Sequence, residues 1–176
     1  MTRNPWLVLA AVLAAVPSAV GAQSLVTERG LSLNAALDMA SAALEACRKH
    51  GSQVSITVLD HAGRAKLTLR DDGASPHSVE HSLRKAYTAL TYRIPSGEYG
   101  KRAAGSFPAS AGPLHLSNIT TSAGGLPVRA GSTVVGAIGI SGTPGGGGAG
   151  AGGGGTADEA CAQAGIDRIA KGLGTN

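Results

Sequence analysis

The run Thr133 to Ile140 constrains this chain more than any other, because it is a strand by its β-branched content yet carries Gly136, Ala137 and Gly139. Small residues weaken a strand unless another backbone approaches the sheet closely at that point. The strand is therefore expected to be central, with a helix or another subunit pressed against it. The rest of the chain agrees with thin, tight layers: 27 glycines stand beside one Trp, three Tyr and one Phe. The core must then be built from Ala, Val, Ile and Leu. At 176 residues the chain suffices for one such core, and a second domain has no support.

Around that strand the pattern reads αββααββα. Ser32 can cap a helix running to about His50, because Leu33, Ala36, Leu37, Ala40, Leu44 and Cys47 recur at helical steps and Gly51 stops it. Val54 to Leu59 and Ala65 to Leu69 are strands joined by the turn residues Asp60 to Gly63, which makes a hairpin. Ser75 and Pro76 open a second helix that ends near Tyr92, before Pro95, and a short one follows from Ser96 to Ala104. Gly124 to Arg129 is extended, and a last helix runs from Ala157 to about Leu173 with Asp158 and Glu159 near the positive end of its dipole. Hairpin-linked strands with helices between them predict an α+β fold, an antiparallel sheet of about five strands flanked by helices.

The first 22 residues read as a secretory signal peptide. Arg3 is the basic region, Trp6 to Val16 an apolar run, and Val20-Gly21-Ala22 a small-residue cleavage pattern before Gln23. The run is shorter than the roughly 20 apolar residues of a membrane span, so no span remains after cleavage. Residues 23–30 are then an N-terminal extension and 31–176 the domain, placed in a periplasm or outside the cell. The tract Gly145 to Gly155 is nearly all glycine and is expected to be a flexible loop.

Charge and cysteines exclude several functions. A formal charge of +4 falls to +3 when Arg3 leaves, and no basic run with interleaved aromatics exists, so nucleic acid is not an expected partner. Cys47 and Cys161 lack the spacing of a zinc knuckle, a thioredoxin site or a covalent haem attachment. Each can be a small buried hydrophobe, or the two can pair if their helices lie side by side. GxxxxGK[ST] is absent, Gly136, Gly139 and Gly142 lack a strand-then-helix context, and Ser141 does not stand in a GxSxG elbow.

The second helix holds the most suggestive residues. Its apolar stripe is Val79, Leu83, Ala86 and Leu90, so His77, His81, Arg84, Lys85 and Thr88 are expected on the opposite face. His77 and His81 lie at i and i+4, and the first helical turn disfavours the imidazolium, which leaves a nitrogen lone pair for a metal. Two ordinary histidines on a solvated face are the competing reading, since a pair without a third ligand is weak evidence of a metal.

Successive segments also resemble one family. Asp72-Gly73-Ala74 with Pro76-His77-Ser78, Arg84 to Ala89, Gly124 to Arg129, Val135 to Gly142, and Asp158-Glu159-Ala160-Cys161-Ala162 with Ala164-Gly165 look like the ordered signatures of the GlcG/HbpS family, over Leu31 to about Leu173. The resemblance implies a profilin-like three-layer α/β/α fold, assembly into homo-oligomers, and non-covalent haem binding in an extracytoplasmic or sensory setting. The long glycine tract departs from it. In this light His77 is the metal ligand, His81 a second donor or wall, and Arg84, Lys85 or Arg129 the cation that meets the propionates. A haem slot at a subunit interface, walled by aliphatics and Tyr92 or Phe107, would offset the scarcity of aromatics.

Three classes follow. The first is an exported haem-binding protein that stores, senses or carries haem. The second is an enzyme or accessory factor of small hydroxy-acid (glycolate-type) metabolism, for which Asp60 with His61 is the one acid/base pair in view. The third is a structural homo-oligomer without a small ligand.

Overall fold

A computed structural model describes residues 26–106, 111–144 and 154–174 of the chain. The expected signal peptide, most of the glycine tract and Phe107 lie outside these residues. The element order is α1 (Leu33–Lys49), β1 (Ser55–Asp60), β2 (Ala65–Arg70), α2 (Ser78–Tyr92), α3 (Ser96–Gly105), the single turn α4 (Ala111–Leu114), β3 (Gly125–Ala130), β4 (Thr133–Ser141) and α5 (Gly154–Ile169). The sheet is antiparallel in the order β2-β1-β4-β3. Among the described residues it has four strands where about five were expected, and β4 is central as its small residues require. No helix among the described residues is long and apolar enough to cross a membrane.

The two faces of the sheet differ in chemistry. Ile56, Val58, Leu126, Val128, Ile138 and Ile140 pack with α1 and α5 in one apolar cluster. Within that layer α1 and α5 lie side by side, and Cys47 and Cys161 form a disulfide across them with Cα atoms 5.5 Å apart. A cross-link between residues 114 apart in sequence removes enough unfolded-state entropy to stabilise by about 4–5 kcal/mol. α1 begins as its sequence predicts, with the Ser32 side chain accepting from the Ala35 N–H.

α2 covers the other face and completes the α/β/α sandwich. One row across the sheet runs Gly125, Gly139, Thr57, Thr68. A Cβ on Gly139 would stand 2.1 Å from the Ser82 carbonyl oxygen, and one on Gly125 2.0 Å from that of Lys85. The helix backbone therefore rests directly on the glycines. Further along the row Ser82 meets Thr57 at 2.8 Å, and Ser55 pairs with Ser78 at the same distance.

That proximity corrects the expected stripe of α2. The residues buried under the helix are Ser78, Ser82, Lys85, Ala86, Thr88 and Ala89; all but Lys85, whose chain runs out to Asp158, are small because no large side chain fits between two touching backbones. Leu83, Tyr87 and Leu90 sit at the flank, half-buried against Leu59, Ala86 and Ala137. Helix ends also differ from expectation: α2 starts at Ser78 rather than Ser75, and α5 starts three residues earlier than Ala157, inside the glycine tract.

Gly139→Ala should therefore be costly for one methyl. Overpacking of this kind costs about 1–3 kcal/mol, whereas Gly105→Ala, with nothing within 4 Å of the new atom, should be near neutral. Urea midpoints of the two variants check this.

Candidate functional site

The N-terminal end of α2 brings His77 and His81 together. His77 occupies the N-cap position but makes no side-chain capping bond, so its imidazole is exposed and uncommitted to the backbone. One turn on, His81 is half-buried, and its Nδ1 lies 3.2 Å from the Ser141 hydroxyl at the end of β4. The ring centroids are 6.5 Å apart. Burial, and then the positive charges of Lys85, His77 and Arg84, push the His81 imidazolium pKa down to about 4. At neutral pH His81 is thus neutral, and in the tautomer whose Nδ1–H donates to the Ser141 hydroxyl, Nε2 is the nitrogen left for a ligand.

Arg84 belongs to the same surface: it is half-exposed and paired with Glu80 one turn back. Lys85 does not belong there. Expected on the outer face, it points under the helix, where its ammonium meets Asp158 at 2.6 Å with both side chains about 3% exposed. Arg129 is also elsewhere. Its guanidinium donates to the carbonyl of Arg93 at 2.6 Å, at the far end of α2, about 24 Å from His77 for sixteen residues of helical rise. Tyr92 is at that far end too, stacked on Tyr99 at 4.0 Å. Within one subunit, neither Lys85 nor Arg129 can share a ligand with His77.

Asp60 and His61 do not form an acid/base pair. The Asp60 carboxylate accepts from the Ala62 and Arg64 backbones and the Arg64 side chain, which makes it turn chemistry, while His61 pairs with Glu28 at 2.5 Å. Among the described residues no group of three or more His, Cys, Asp or Glu is placed to hold a metal ion. A metal here would need ligands from its own macrocycle or from another subunit.

Asp158 and Glu159 do more than complement a helix dipole. Glu159 accepts from the backbones of Gly97 and Gly124 at 3.3 and 3.4 Å. Asp158 accepts from the Thr143 backbone as well as from Lys85. Burial pushes the Asp158 carboxyl up, against the pull of the ammonium and the Thr143 bond. Gly124, at φ 126°, passes within contact of Lys85 and Asp158 where no Cβ fits. The signal for this cluster was present in the phase of α2: Ser78, Ser82 and Lys85 share one face, and a buried lysine demands a carboxylate.

Two outcomes follow. Lys85→Met strands the buried Asp158 and should destabilise by about 3–5 kcal/mol, with Asp158→Leu added to it restoring most of the loss, as denaturant titration of both variants would show. For His81 the folded pKa of about 4 lies below the ordinary histidine value of 6.5, so the unfolded chain binds the extra proton between them. Its contribution to stability is complete above about pH 6.5 and is lost as pH falls toward 4. An NMR titration should place the His81 midpoint near 4, and His81→Gln should flatten the fall in unfolding midpoint over that range.

Comparison with known proteins agrees with the architecture. A family model described as "Haem degrading protein HbpS-like" matches residues 31–167. A 15.0 kDa protein from the dhaT-dhaS intergenic region of Citrobacter freundii is 37% identical over 115 residues, which are 64% of this chain and 80% of that protein. Among solved structures, a double mutant of Streptomyces reticuli HbpS is 36% identical with a TM-score of 0.71, over 88% of this chain and 97% of that one. Klebsiella pneumoniae ORFY is 26% identical with a TM-score of 0.72, over 85% and 97%. The PduOC:heme complex, 23% identical with a TM-score of 0.68 over 80% and 95%, shares the fold. The match of the family model over most of the chain, together with the HbpS likeness, shows that the chain belongs to the HbpS-like family.

Proposed function

We propose that the protein is an exported haem-binding protein which stores, senses or carries haem non-covalently, with His77 as the iron ligand. The observation that carries this reading is the pair of imidazoles at the start of α2, one exposed and free of capping duty, the other held neutral against Ser141. The donor set fits a haem iron, which takes neutral imidazole nitrogen in its axial positions. His77 supplies that nitrogen, His81 backs it as second donor or wall, and Arg84 exchanges Glu80 for a propionate.

The comparisons favour haem as the ligand. The family description names haem degradation, and PduOC was crystallised with haem. Export is supported by the signal-peptide pattern and by the Cys47–Cys161 disulfide, a cross-link that persists in oxidising compartments. Cleavage after Ala22 would give a mature chain beginning at Gln23, read directly by mass spectrometry of the secreted protein. A homo-oligomer whose second subunit walls the haem is part of the reading, because the imidazoles lie on an outer face of the helix.

Titrating the purified mature protein with hemin tests the proposal. The expected result is a saturable Soret shift, a loss of about tenfold or more in affinity for His77→Ala, equal to about 1.4 kcal/mol, and no axial-imidazole spectrum in His77→Ala with His81→Ala. Arg129→Ala should behave as wild type. A Soret position and affinity unchanged in the double histidine variant would overturn the assignment, and a stable assembly by light scattering with no hemin binding would favour the ligand-free structural class.

A further inference from the structure

At the opposite end of α2 the chain turns through Arg93, whose φ of 58° and ψ of 27° make it the one non-glycine residue with positive φ among the described residues. A helix stop at this position is cheapest with glycine, and a side chain there is disfavoured. The stop itself uses only the backbone. Arg129 on β3 holds that backbone in place through its bond to the Arg93 carbonyl, with a second bond to Ser132. The chain thus fixes an arginine in a conformation that its side chain disfavours, and the guanidinium is surplus to the turn.

Arg93 lines a cleft of about 500 Å³ between the end of α2, strand β3 and α5. Ile94, Pro95, Leu126, Pro127 and Ile166 form its apolar walls, and Arg93 and Arg129 are its two charged residues. Both arginines are exposed, and neither is ion-paired among the described residues. A neighbouring cleft of about 280 Å³ also takes Arg93 as a wall, with the hydroxyl-bearing Ser132 and Thr133. β3 is an edge strand, but Pro127 removes a donor from it, so a strand-adding peptide or second copy is a poor occupant. Apolar walls with convergent cations at the rim suit a small ligand of like design.

We propose that this cleft binds an amphipathic carboxylate, an alkyl or aryl acid whose apolar body lies on Leu126 and Ile166 and whose carboxylate meets Arg93 and Arg129. The site is independent of the haem reading, since it lies at the other end of α2 from His77. It gives the protein a second ligand whose class is an organic acid rather than a metal complex.

Octanoate is a suitable probe, followed by amide chemical shifts of the full mature protein at low ionic strength. Saturable shifts at Leu126, Arg129 and Ile166 are expected, with octan-1-ol at least fivefold weaker. Arg93→Gly, which suits the backbone angle and keeps the fold, should lose at least fivefold in octanoate affinity, while Arg93→Lys recovers part of it. Hemin titration of Arg93→Gly should match wild type, so the fate of this site and of the haem site are read separately. The proposal is overturned if octanoate gives no saturable shift, if octan-1-ol binds as well, or if Arg93→Gly binds octanoate as wild type does.

Discussion

The backbone of α2 lies on the backbone of the sheet, and most of the molecule's chemistry is a consequence of that contact. Gly139 and Gly125 remove the two side chains that would hold the helix off. Once it descends, the space beneath admits hydroxyls and methyls and little else, which is why Ser78, Ser82, Ala86 and Ala89 form its buried stripe. Directional bonds then replace bulk: Ser82 to Thr57, Ser78 to Ser55, His81 to Ser141. Hydroxyl pairs have narrow geometric tolerance, so they fix the register of the helix where interchangeable aliphatics would let it slide.

The same contact explains the buried ion pair. A helix this close directs Lys85 inward between β3, β4 and α5, where only a carboxylate can satisfy it, and Asp158 supplies one. Such a pair adds little net stability over an apolar substitute. It does tie α5 to α2 across the end of the sheet, while the disulfide ties α5 to α1 on the other face. The last helix is thereby anchored to both layers, although its amphipathic pattern is the weakest of the long helices and its start lies in glycine.

Much of the fold was legible in the sequence. Hydrophobic period and turn residues located α1, the β1–β2 hairpin, β4 and the final helix, and the small residues of β4 announced a close neighbour. The departures on the face of α2 share one cause. Helical periodicity alone turns the apolar side of α2, Val79, Leu83, Ala86 and Leu90, toward the sheet. With glycines beneath the helix the smallest residues win the interior, and the true stripe is rotated to Ser78, Ser82 and Lys85. Periodicity alone therefore leaves Lys85 in solvent and Asp158 as the partner of a helix dipole. A motif carries no distance, so it groups Arg129 with His77; the bond from Arg129 to the Arg93 carbonyl places it at the other end of α2.

A helix locked in register along its whole length has fixed ends as well as a fixed middle. At its start the lock settles His81 on Ser141 and leaves His77 outside, and at its finish it delivers Arg93 into a left-handed turn clasped by Arg129. Both ends expose side chains that the packing does not consume. The interior accounts for every serine and the lysine of the buried stripe, yet it gives no reason for an imidazole at position 77 or a guanidinium at position 93. Residues whose identity the fold leaves unexplained are where selection for a ligand can act without cost to the core, and here they stand at the two poles of one rigid element, far enough apart that each can be altered without disturbing the other.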